Sequence, residues 1–212
     1  MFNNFNIYNI LLMIVPVLLA LTVHEYAHGL AAWKLGDDTA KREGRLTLNP
    51  ISHMDPVGTL MLFLFKFGWA KPVPFDPRNF KNPARDTTLV ALAGPVSKFL
   101  TAAALTIILR ILLEINFFQL FSQNMAKNIF MIFQYGVLIN ISLGLFNLIP
   151  IPPLDGFKVL AYFLPPQIVA QIYRNHLIIM FAFLLLLATG FLGKVLWPAV
   201  MNVNALLSWL FL

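Results

Sequence analysis

The chain has 212 residues, 59% of them hydrophobic and 11% charged, with a mean hydropathy of +0.76, too apolar for an average soluble domain. It contains no cysteine, which excludes disulfide staples and thiolate zinc fingers; any zinc must be held by His and carboxylate ligands. The formal net charge of +6 invites a nucleic-acid reading, which the placement of the charges argues against below.

Continuous apolar runs occupy residues 7–33, 57–67, 89–115, 129–149 and 177–197, with a last short run at 205–212. A helix needs about twenty residues to cross the hydrocarbon. The runs therefore predict an all-α membrane protein, a polytopic helical bundle of about five to six spans in a single domain, residues 1–212. The 57–67 run is short for a span and reads as re-entrant or shielded by its neighbours. The amino terminus has no basic leader, and the first run has no small-residue cleavage site, so that run reads as a retained span.

Inside the first run stands His24-Glu25-Tyr26-Ala27-His28, an HExxH motif. On a helix, the four-residue spacing puts both imidazoles on one face about a turn apart, where they can share one zinc ion. Glu25 is then beside the metal and free to act as a base. Ionisable side chains in hydrocarbon are costly and rare, so three within five residues need a purpose.

Residues 34–56 read as hairpin material: Gly36-Asp37-Asp38 turns the chain, and residues 45–50 alternate like an edge strand closed by Pro50. Residues 69–83 carry Pro72, Pro74, Pro77 and Pro83 and predict a loop. Farther on, Pro165-Pro166 separates the segment after Asp155 from a span beginning near His176, itself read as interfacial.

Nine of the fifteen Lys and Arg fall in residues 34–85, whereas residues 116–128 have only Lys127. The positive-inside rule puts the 34–85 region in the cytoplasm, so the first helix runs inward and carries the HExxH in its cytoplasmic half. The basic excess is then an orientation signal and a contact with anionic lipid in the bilayer, with no nucleic-acid partner.

A catalytic zinc takes three protein ligands and keeps one position open. The third candidate is Asp155, in the stretch from Asn147 through Pro150 to Leu154-Asp155-Gly156, which this topology brings to the same side as His24 and His28. Alone, Asp-Gly after prolines would read as a helix cap; beside the HExxH, ligation is the stronger reading.

These motifs occur with Gly44-Arg45-Leu46-Thr47-Leu48-Asn49-Pro50, His53, Asp55-Pro56-Val57-Gly58, Gly68-Trp69-Ala70-Lys71-Pro72-Val73-Pro74 and Ala93-Gly94-Pro95. Together, from the first span to Leu160, they resemble the site-2 proteases, zinc metalloproteases that cut within the membrane, in their compact form without a PDZ or CBS domain. The resemblance implies His24, His28 and Asp155 as zinc ligands and Glu25 as the catalytic glutamate. Asn147 and Pro150 match positions used near the substrate strand, and residues 44–56 match a membrane-associated β-hairpin that pairs with extended substrate. The implied substrate is a transmembrane protein or peptide, and the implied setting is the cell membrane with the active site toward the cytoplasm. The family often has Asn where Lys98 stands; this lysine reads as snorkelling to the interface near the start of its span. His53 reads as a structural residue or as one that supports a metal ligand without touching the metal, the three ligand positions being filled. Asn140, seven residues before Asn147, reads as facing the bundle.

Peptide carbonyls in a substrate helix are hydrogen-bonded along the helix, so cleavage requires local unwinding, with Asn147 and the hairpin edge holding the freed strand. A metal transporter would also bury His and Asp, but along a path and with no need for a glutamate next to the first His. A catalytically dead relative is opposed by the complete HExxH and Asp155.

Overall fold

Residues 7–65 and 68–212 are described by a computed structural model, the side chains of 62–65 excepted. Lys66 and Phe67, which close the second apolar run, lie outside the described residues, as do 1–6. Among the described residues, three helices are long and apolar enough to cross a membrane: α1 (Ile7–Lys34), α4 (Pro83–Glu114) and α5 (Gln123–Asn147), with mean hydropathies of 2.1, 1.9 and 1.9 in their most apolar windows. These three pack against one another. Between α1 and α4 lie α2 (Thr39–Arg42) and α3 (Pro56–Phe65). After α5 come α6 (Asp155–Phe163), α7 (Pro166–Arg174), α8 (His176–Ala188) and α9 (Phe191–Phe211). Helix α6 lies on α4, and α9 covers both α4 and α5.

Helix α4 begins earlier than its apolar run because Asn82 caps a polar first turn, its side chain accepting from the Arg85 N–H at 3.2 Å, and Pro83 sits where no N–H is needed. Its middle packs with α5 and α9 around Ala102, Val137, Ile141 and Val200. A second cluster, Ala32, Phe80 and Val90 with Phe75 against it, ties the loop before α4 to the end of α1. Asp37 pins that junction. Fully buried, it accepts from the Thr39 hydroxyl at 2.6 Å, from Asn79 Nδ2 at 2.7 Å and from the Asp76 N–H at 2.8 Å.

Three expectations come out differently. The described residues contain no strand: after the expected turn at Gly36, the 34–56 stretch forms α2 and a 3₁₀ turn, Pro50–His53, and its pairing is a single antiparallel bridge, Met54 to Ala70. The segment opposite is Ala70-Lys71-Pro72-Val73-Pro74. The Lys71 backbone N–H donates to His53 O at 2.9 Å, but Pro72 and Pro74 have no N–H with which to extend a ladder. The 177–197 run also breaks. It ends as a helix at Ala188 because Gly190 takes a left-handed conformation (φ +70) that closes α8, and α9 restarts at Phe191 through residues 205–211. Helices α7 and α8 are bent by 68° at Asn175; counted as one span they bring the total among the described residues to four, against the five to six expected.

Candidate metal and peptidase site

His24 and His28 face the same way because they lie one turn apart on α1, and Asp155 opens α6 directly after the proline-rich turn that follows α5. Their ligand atoms converge. The two Nε2 atoms are 3.0 Å apart, and each lies 3.2 Å from Asp155 Oδ2. A tetrahedral zinc with bonds of about 2.0–2.1 Å spaces its ligand atoms about 3.3 Å apart, so the three atoms fit one face of such a site. All three residues are buried, and they are a group able to hold a metal ion among the described residues.

The neighbours support that use. His28 Nδ1 lies 2.7 Å from Val90 O, so this nitrogen carries the proton and Nε2 keeps a lone pair toward the site. His24 Nδ1 is buried with no partner. Gly94 makes the approach possible: a Cβ there would stand 2.4 Å from His24 Cε1 and 2.5 Å from His28 Nε2, so the α4 backbone rests directly on both rings. Gly156 does the same at the start of α6, where a Cβ would meet Leu148 O at 2.2 Å.

Glu25 is buried on the next position of α1 and accepts from the Val73 N–H at 2.9 Å through Oε2. Val73 is the single N–H donor in Pro72-Val73-Pro74, so the flanking prolines aim one amide at this carboxylate. Arg45 supports the segment from the far side, donating through Nη2 to Lys71 O at 2.9 Å.

Other residues fall away from the cluster. His53 is buried, with Nε2 2.8 Å from Thr47 O inside its own loop, and it is not part of the metal-competent group. Asn147, half-buried at the last position of α5, donates to Leu143 O one turn back at 2.8 Å, and Pro150 is exposed two residues past the cap of α5. Asn140 faces the bundle as expected, fully buried and donating to Gly136 O at 2.8 Å, with Oδ1 unpartnered. Lys98 does not snorkel. It is 1% exposed and donates to Ala20 O at 2.9 Å, because Gly94 and Lys98 share the face of α4 that is pressed onto α1.

Sequence reasoning missed the Val73 amide, the Gly94 contact, the Lys98 bond and Lys158, which lies 3.1 Å from Asp155 Oδ1. Of these, only the three-residue spacing of Asp155 and Lys158 was readable along one helix; the others depend on neighbours distant in sequence.

Residues 112–188, which include Asn147, Pro150 and Asp155, match the model of peptidase family M50. A Bacillus subtilis (strain 168) protein provisionally named zinc metalloprotease YwhC is 38% identical over 186 residues, 88% of this chain and 84% of that protein. Two mycobacterial proteins provisionally named zinc metalloprotease Rip2 are also similar. The one from Mycolicibacterium smegmatis is 28% identical over 74% of this chain and 59% of its own length, and that of Mycobacterium tuberculosis (strain H37Rv) is 32% identical over 71% and 56%. The chain thus spans little more than half of the Rip2 proteins. No solved structure matches. With a relative this similar along most of both chains, and a metal-competent His, His and Asp group where the HExxH and the Leu-Asp-Gly turn converge, the chain belongs to peptidase family M50, the site-2 protease family of metalloproteases.

Proposed function

We propose that residues 1–212 form a single intramembrane zinc endopeptidase that cleaves transmembrane segments of membrane proteins. His24, His28 and Asp155 hold one zinc ion per chain, and Glu25 is the catalytic base. The observation carrying this reading is the trio of ligand atoms spaced 3.0, 3.2 and 3.2 Å apart, next to a buried glutamate and among three helices apolar enough to span a bilayer.

When bound, zinc brings the pKa of a coordinated water to about 7 and polarises the scissile carbonyl. The chain's residues do the rest. His28 is fixed by Val90 O so that Nε2 is always presented. The Val73 N–H occupies Glu25 Oε2, leaving Oε1, free of hydrogen bonds among the described residues, to accept a proton and return it to the leaving amine. Burial of the cluster restricts the access of bulk water. Asn147 and Pro150, at the exposed end of α5, hold the unwound substrate strand; the Asn147 amide has a second N–H besides the one bound to Leu143 O.

The protein resides in the cell membrane as a multi-pass chain, with its active site toward the cytoplasm on the side of the nine basic residues in 34–85. The test is cleavage of single-span substrates by the purified protein, with and without a chelator. Glu25→Gln should retain zinc and lose activity by about 10²-fold or more. Retained turnover, or zinc lost with the substitution, would refute the assignment of the base.

A further inference from the structure

The two oxygens of Asp155 have different partners. Oδ2 faces both histidines at 3.2 Å, while Oδ1 lies 3.1 Å from Lys158 Nζ. Lys158 is three residues along α6, so helical geometry brings its ammonium back over the first turn. Its side chain is two-thirds buried, at 32% exposure, which limits the alternatives open to it. The same ammonium lies 5.7 Å from the centre of the Phe75 ring. Phe75 in turn stacks on Phe80 at 6.0 Å and packs against the buried Ala32 and Val90. Lys158 is therefore braced by the same segment whose Val73 N–H holds Glu25.

A free carboxylate can bind a cation through one oxygen or through two. Two-oxygen binding would fill the coordination position that a catalytic site keeps open. An ammonium on Oδ1 opposes it by engaging the lone pairs the second bond would need and by fixing the carboxylate plane.

Resting on the assignment of Asp155 as a metal ligand, we infer that Lys158 is a positioning residue that holds this carboxylate to one-oxygen ligation and so keeps the substrate's coordination position open. The lysine touches neither substrate nor metal; it acts through Asp155.

The experiment uses the full chain purified in detergent, loaded with Co²⁺ alone as a spectroscopic probe. The visible absorption of Co²⁺ weakens as its coordination number rises. Lys158→Met should retain one equivalent of metal, lose Co²⁺ band intensity, and reduce kcat by about 10-fold or more with a smaller change in KM. Lys158→Arg, which can still donate to Oδ1, should restore most of the band intensity and of kcat. A Lys158→Met protein with the wild-type Co²⁺ spectrum overturns the inference, as does one that loses the metal altogether, or one that Arg does not rescue. Asp155→Ala separates this failure from failure of the underlying reading: a Co²⁺ spectrum unchanged by Asp155→Ala removes Asp155 from the metal, whatever Lys158 does.

Discussion

Gly94 decides how close α4 and α1 can come at the two histidines. A methyl group there would overlap both imidazoles, at 2.4 and 2.5 Å, and the rings can retreat only by giving up their shared geometry. Gly94→Ala should therefore abolish stoichiometric zinc binding while the far-ultraviolet helical signal stays unchanged; a fully zinc-loaded Gly94→Ala protein would mean that the helices separate without disturbing the site. Asp155→Ala should lower zinc affinity and stop cleavage together, read by metal analysis beside turnover, whereas normal zinc and activity would reduce Asp155 to a helix cap. The histidine pair was legible because helical spacing is local and HExxH states it directly. Asp155 was legible by combining a motif with a topology. The glycine contact was not, since nothing in Ala93-Gly94-Pro95 says which side chains lie against it. Lys98 was misread for a related reason: in the apolar run it stands near the start, where a lysine ordinarily reaches water, but α4 begins at Pro83 and places it mid-helix, with a carbonyl of α1 as its partner.

At the scale of elements, the loop structure between α1 and α4 rests on Asp37. Burial opposes ionisation of this carboxyl, but bonds from Thr39, Asn79 and the Asp76 and Thr39 backbone outweigh it and hold the group below its ordinary range. A carboxyl lowered on folding contributes stability that is present above its unfolded pKa and lost as pH falls through the folded value. The wild type should thus lose thermal stability on acidification below about pH 4, and Asp37→Asn should flatten part of that dependence. Asp37→Ala should cost about 1–2 kcal/mol, because it removes the buried acceptor shared by Thr39, Asn79 and the Asp76 N–H, and thermal unfolding in detergent would measure it. A variant as stable as wild type would show that the hydrophobic contacts around Phe80 hold the junction alone. The hairpin expectation failed at this scale: alternation in residues 45–50 is a property of one segment, whereas a ladder needs a partner with free N–H groups, and Pro72 and Pro74 remove them. The break at Gly190 was hidden in the same way, since one glycine inside an apolar run is tolerated by many helices and here adopts a left-handed cap.

At the scale of the molecule, orientation governs where products are released. A cysteine placed at Arg78, exposed in this cysteine-free chain, should react with permeant reagents and be protected from impermeant ones outside intact cells; labelling from outside would reverse the topology. Substrate helices weakened by Gly or Asn near the scissile bond should be cut faster than Leu-rich ones, since each freed backbone group costs several kcal/mol until it is partnered. Rates indifferent to helicity would favour an already extended substrate. The Lys98 bond has a consequence for how the protein is made. A lysine at the centre of a helix costs about 3 kcal/mol to insert, and its carbonyl partner, Ala20, belongs to α1, which is synthesised before α4. Helix α4 therefore enters the bilayer most readily once α1 is waiting there, so the order of synthesis matches the order in which the two walls of the site must meet.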